Sequence, residues 1–214
     1  MELLCISDLH GRLEALEKIK RAGSRADLLI VAGDITNFGK RKTAELVLKE
    51  LLEVNQNLLA VPGNCDTPEV NDVLEELGLS LHARGRAIGD TGFFGVGGSN
   101  ATPFDTPQEY GEKKLSEMLA KGYGEVKKQG IKVLVSHAPP FNTKIDATRL
   151  GMHVGSRAVR EFLEEKAVDL VICGHVHEAK GSDSLGGARI INPGPVHMGF
   201  ARVRLGKSIE VGFH

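Results

Sequence analysis

A chain of 214 residues with 27 Lys and Arg against 28 Asp and Glu carries a formal charge of -1, which leaves no basic footprint for a dedicated nucleic-acid binder. No apolar run is long enough to span a bilayer, and the N-terminus lacks a basic flank followed by a long apolar stretch, so a cytoplasmic protein without membrane association is expected. Trp is absent, so the core must rest on Leu, Ile and Val; three cysteines at irregular spacing, with Cys5 and Cys173 inside apolar runs, read as reduced thiols in a core.

Short apolar runs alternate with helical patterns along the chain. Residues 3–7 form the first run and lead into Asp8-Leu9-His10. Leu13, Leu16 and Ile19 then recur at one-face helical spacing. Residues 28–32 end in Gly33-Asp34, and Lys40-Arg41-Lys42 reads as the solvated start of a helix carrying Leu46, Leu48, Leu51 and Leu52. Residues 58–61 lead into Gly63-Asn64. Thr67-Pro68 then reads as cap and first-turn proline of a helix that places Val70, Val73, Leu74 and Leu77 on one face and closes at Gly78. A longer helix is predicted from about Gln108 to Lys128, weakened by Gly111, Gly122 and Gly124. Residues 131–136 end in His137, a helix follows with Val159, Phe162 and Leu163, and residues 170–173 end in Gly174-His175-Val176-His177. Two stretches break the rhythm. The Gly-rich residues 80–100 and the helix-free residues 179–213, with ARIIN, GFARVRL and SIEVGF, suit antiparallel or edge strands. Strands buried on both faces and alternating with helices imply an α/β protein with a largely parallel sheet. One domain over residues 1–214, with two packed sheets flanked by helices, is the expected organisation.

The residues that follow the five buried strands are Asp8 and His10, Asp34, Asn64, His137, and His175 and His177. Ligands of open α/β sheets bind at the carboxyl ends of strands. Taken singly, an Asp there is a helix cap and a Gly-Asn is a turn. Capping accounts for neither His at strand ends nor an H-x-H pair after Gly174. Carboxylate, amide oxygen and imidazole together suit Mn, Fe, Zn, Co or Ni. Seven donors exceed the need of one ion, and two ions sharing Asp34 would use them economically.

The ordered blocks Asp8-Leu9-His10, Gly33-Asp34, Gly63-Asn64-Cys65-Asp66, His137 and Gly174-His175-Val176-His177 resemble the calcineurin-like metallophosphoesterase superfamily. The longer stretches VAGDITNFG, SHAPP and INPGP are similar to its small prokaryotic, Icc-related phosphoesterases. The resemblance implies a four-layer α/β/β/α sandwich with two divalent metal ions. It places Asp8, His10, Asp34 and His177 on the first ion, Asp34, Asn64, His137 and His175 on the second, and Asp34 as the bridge. It also implies hydrolysis of a small phosphate ester, read here as a diester, by a hydroxide between the ions. The family pattern commonly has His where Cys65 stands, and that His is taken to protonate the leaving group, so the acid differs here. A thiol near cations tends to ionise and then has no proton to donate. Cys65 is therefore read as wall, and a preference for good leaving groups is expected.

Two further stretches, residues 97–107 and 138–156, are long enough to close over such a site. The second supplies Arg149 as a phosphate contact and His153 as a candidate acid; Asn100 and Asn37 are weaker candidates for substrate contacts. The competing readings are a scaffold of the same fold, against which every ligand position is filled, and a nuclease, which lacks a basic stripe. The metals' identity, the substrate and the oligomeric state, a homo-oligomer included, stay open.

Overall fold

The computed structural model describes residues 1–214. One sheet has the order β11-β10-β1-β2-β3 and the other β4-β5-β6-β7-β9-β8. In the first, β1 (Glu2–Ile6), β2 (Leu28–Ala32) and β3 (Leu58–Val61) run parallel, and β10 (Ala201–Leu205) and β11 (Ile209–Phe213) add antiparallel neighbours. In the second, β5 (Thr91–Val96), β6 (Ile131–Ser136), β7 (Leu170–Ile172) and β9 (Ala188–Asn192) are parallel. The outer strands β4 (Arg84–Ile88) and β8 (Gly181–Leu185) pair antiparallel to their neighbours.

The period-two alternation of each strand divides its side chains between two apolar layers. Leu3 and Cys5 of β1, Ile30 of β2, Val133 of β6 and Ile172 of β7 meet in a core between the sheets. Leu4, Ile6, Leu29 and Val31 face the opposite way, onto α1 (Glu17–Gly23), α2 (Arg41–Val54) and α3 (Pro68–Glu76). Phe94, Leu134 and Val171 face α4 (Glu112–Val126) and α5 (Arg157–Glu165). Three apolar layers between four layers of structure make the expected α/β/β/α sandwich with two mixed sheets. No helix is long and apolar enough to cross a membrane.

Departures from the expected elements have local causes. The Gly-rich β5 and the ARIIN strand β9 are interior and parallel, not edge strands. The glycines of β5 answer to packing: a Cβ at Gly92 or Gly95 would meet Val126 and the carbonyl of Val135. β8, GSDSL, carries a single apolar residue, so no periodicity announces it; it pairs through backbone along an exposed edge. The first helical turn is 3₁₀ over Leu13–Leu16 before α1 begins. α4 is shorter than its pattern, because Gly111 with extended backbone is its N-cap. Gly122 lies inside that helix where a side chain would press on the backbone of Arg84, and so lets α4 pack closely on β4.

Cys5 and Cys173 are fully buried, and burial pushes both thiols well above their ordinary range. Neither should react with iodoacetamide in the native protein. Mass spectrometry of the alkylated native protein reads this directly. Stoichiometric label on Cys5 or Cys173 would contradict it.

Candidate metal centre

β1, β2 and β3 in one sheet and β6 and β7 in the other end at the same rim of the sandwich, where the loops after them meet. There the chain places Asp8 and His10, Asp34, Asn64, His137, and His175 and His177 against one another. His177 Nε2 lies 3.3 Å from Asp8 Oδ1 and 3.3 Å from His10 Nε2. His10 Nε2 is 3.5 Å from Asp34 Oδ2, and His137 Nε2 is 3.5 Å from Asp34 Oδ1. Asn64 Oδ1 sits 2.9 Å from both His137 Nε2 and His175 Nδ1. Asp34 thus stands in the middle of a row of donors, one carboxylate oxygen turned to each half.

Backbone conformation is part of this geometry. Asp8, His10, Asp34 and His175 all have positive φ, between 49° and 68°. Asp, Asn and His tolerate the left-handed region better than most residues, and such strain collects at functional sites. The bends turn i and i+2 side chains onto one centre, which a straight strand cannot do. At Gly63 a Cβ would run into the carboxylate and backbone of Asp34, so the two loops can touch only with glycine there.

Electrostatics favour a cation. Burial pushes Asp34 up to about 6, with Asp8 and Asp66 adding to the rise against His137. For Asp8 burial acts upward, but His177, His137 and Ser7 together hold it down at about 2. Burial lowers His10 to about 4 and His175 to about 3, so both are neutral rings offering lone pairs. Oxygen and imidazole donors converge with no Lys or Arg between them, a set that fits divalent transition-metal ions. Clusters of Asp8, His10 and His177, and of Asp8, Asp34 and His137, have ligand atoms close enough to hold an ion.

A surrounding set of hydrogen bonds orients these donors, and sequence reasoning did not find it. The carbonyl of Ala32 accepts from His137 Nδ1 at 2.8 Å, which leaves Nε2 facing the centre. Asn64 Nδ2 donates to Thr106 Oγ1 at 3.0 Å, and Thr106 in turn donates to Glu109, so the amide is fixed with Oδ1 inward. Fully buried Asp66 accepts from the backbone of Gly63, Ile35 and Thr36 and from the Thr36 hydroxyl, at 2.7–3.0 Å. It stitches the Asp34 loop to the Asn64 loop. Its only sequence signal was its place in GNCD. Cys65 donates its backbone N–H to Asp34 Oδ1 at 2.9 Å, and its sulfur lies beside Asp34 and His10. Without ions, burial and the Asp34 charge push this thiol upward, opposite to the ionisation expected beside cations.

The profile of calcineurin-like phosphoesterases matches residues 1–179. The chain is a calcineurin-like phosphoesterase. This phosphoesterase is 39% identical over 199 residues to the uncharacterized protein MJ1162 of Methanocaldococcus jannaschii, covering 91% of this chain and 88% of that one. It is 38% identical over 82 residues to phosphodiesterase YfcE of Escherichia coli, covering 35% of this chain and 44% of YfcE. Among solved structures, TT1561 of Thermus thermophilus superposes with a TM-score of 0.79 at 22% identity, covering 99% of this chain and 98% of that one. A dimetal phosphatase of Danio rerio gives 0.64 at 13%, with 99% and 98% covered. At these identities the two structures speak for the fold.

Beside the centre of the phosphoesterase lies a cleft of about 650 Å³, formed by residues 100–104 and 141–157 and reaching His175. His153 lines it, with Nδ1 2.7 Å from Oδ1 of fully buried Asp146. Asp146 is itself held by the backbone N–H groups of Asn142, Thr143 and Gly155. Asn100 also lines the cleft, its Nδ2 donating to the carbonyl of Val154 across the gap at 3.2 Å. Arg149 is exposed, with its backbone N–H on Glu178; the arginine in the cleft is Arg157, stacked over Phe141. Asn37 is exposed on the loop after Asp34, outside the cleft.

Proposed function

We propose that this phosphoesterase is a dinuclear metal-dependent phosphodiesterase acting on a small phosphate ester. The observation that carries this reading is Asp34, whose two oxygens face His10 on one side and His137 on the other at the same 3.5 Å. Asp8, His10 and His177 would complete one ion's donors, and Asn64, His137 and His175 the other's. Two divalent ions, when bound, supply positive charge for the phosphoryl oxygens and an activated water at neutral pH. The protein's part is to hold the donors in place, through Ala32, Thr106 and Asp66, and to seat the ester beside them. The kinship with YfcE supports a diester over a monoester.

The decisive experiment strips the protein of metal and assays mono- and diesters after adding back Mn, Ni, Zn or Mg. Two equivalents of ion restoring diester hydrolysis is the expected result. His175→Ala and His177→Ala should each bind about one equivalent less by elemental analysis, because hydrogen bonds around a ligand cannot replace it. Full occupancy in either variant would sink the two-ion assignment.

The proton for the leaving group is assigned to His153. It is the imidazole of the cleft outside the donor set; Asp146 accepts from Nδ1, so that in the protonated ring the Nε2–H is the one available to the leaving group. His153→Ala should cost about 10²–10⁴-fold with an alkyl leaving group and much less with 4-nitrophenolate, which needs no proton. Cys65→Ser should leave both rates largely intact. Equal losses for the two leaving groups in His153→Ala would remove it from the role, and a hundredfold loss in Cys65→Ser with both ions retained would transfer the role to the thiol.

A further inference from the structure

We propose that the cleft beside the centre seats one organic arm of the ester and selects a planar aromatic arm over a small aliphatic one. This rests on the phosphodiesterase reading above and adds a substrate class to it.

The cleft is continuous with the centre through His175, so whatever fills it is attached to the reacting phosphorus or lies against it. Its volume of about 650 Å³ far exceeds what a phosphoryl group occupies and falls in the ordinary range for sites that hold a drug-sized organic group. Its walls come from two separate loops and mix apolar side chains with polar ones, the carboxylates of Glu112 and Glu178 among them. Phe104, 80% exposed, stands on one, and Met152, 57% exposed, on the other. Large apolar side chains left open to water are informative when they gather around a concave site.

The floor has a preferred geometry. The guanidinium of Arg157 lies 4.2 Å from the centre of the Phe141 ring, while its backbone N–H donates to Glu112. The ring of His153 meets Phe141 edge-on, with centroids 6.0 Å apart. A flat cation stacked on a ring is a platform for another flat group, and its stacking face discriminates against bulky saturated ones. Phe104 offers a second ring from the opposite loop. Leu150, 84% exposed two residues before Met152, makes a contact between copies of the chain the rival use of this surface.

The test titrates metal-loaded protein with methylphosphonate, cyclohexylmethylphosphonate and benzylphosphonate by calorimetry. Benzylphosphonate should bind about tenfold more tightly than methylphosphonate and measurably more tightly than the cyclohexyl compound, as stacking and ring burial require. Phe141→Ala should bring the benzyl affinity down toward the methyl value. Phe104→Ala, at a solvent-exposed position that does not threaten folding, should reduce it several-fold. Equal affinities for benzyl and cyclohexylmethyl, or benzyl affinity unchanged in both variants, overturns the inference. Arm-independent binding together with a change of sedimentation in Phe104→Ala assigns the surface to a contact between copies instead. Hydrolysis of a diester with arm-independent phosphonate binding defeats this inference alone. No binding by any phosphonate and no diester hydrolysis removes the phosphodiesterase reading and this one with it.

Discussion

Replacing Asp34 by Asn should empty the centre and lower diester hydrolysis on the order of 10³-fold, the kinetic equivalent of the several kcal/mol that bound ions contribute. The substitution is nearly isosteric, and Asn tolerates the left-handed backbone that Asp34 adopts, so the fold should survive. What changes is chemical. One oxygen becomes an NH₂ group pointing at the lone pair of His10 or His137, each 3.5 Å away, and the negative charge between the two halves disappears. A residue that served only one ion would cost one equivalent of metal; Asp34 should cost both. Elemental analysis beside circular dichroism separates this from unfolding. Two retained equivalents with normal turnover would falsify the bridging role.

Asp66→Ala should act through stability first. Asp66 touches none of the donors' metal-facing atoms, yet four donors end on it inside a fully buried pocket. Removing the acceptor strands those groups without water, at a cost of about 3–5 kcal/mol. For a chain of this size that is a fall in Tm of roughly 10 °C. The loop carrying Asp34 then loses its tie to the loop carrying Asn64, so metal affinity should fall as well. Asp66→Asn keeps the shape and part of the acceptance and should lie between. A melting temperature for Asp66→Ala within about 2 °C of the parent would show that backbone packing alone holds the two loops.

The contrast between Asp34 and Asp66 shows where sequence reading reaches its limit. Asp34, Asn64, His137 and the His175–His177 pair were legible because each follows a continuous apolar run, and such runs fix both the strand and the end at which it stops. Asp66 has the same residue type, two positions past Asn64, but its task is defined by N–H groups some thirty residues away that no local pattern reveals. Thr106 turning Asn64 is hidden for the same reason. β8 was invisible because an edge strand of Gly, Ser and Asp has no buried face to impose alternation. The sequence offers Arg149 as a phosphate contact, whereas the arginine that lines the cleft is Arg157. Only the α5 start, where Glu112 accepts from the backbone of Arg157 and Ala158, aims Arg157 over Phe141.

The neighbours of β1 also bear on how the protein is made. β1 leads into Asp8 and lies between β2 and β10, and the carbonyl of Ser7 accepts from the backbone of Val196. Synthesis delivers β2 soon after β1, but Val196 and β10 only nearly two hundred residues later. A ribosome-bound chain must therefore keep an apolar, half-paired strand waiting while the rest is translated. The edge of β1 that faces β10 stays open through most of translation, an apolar edge of the kind that invites mispairing.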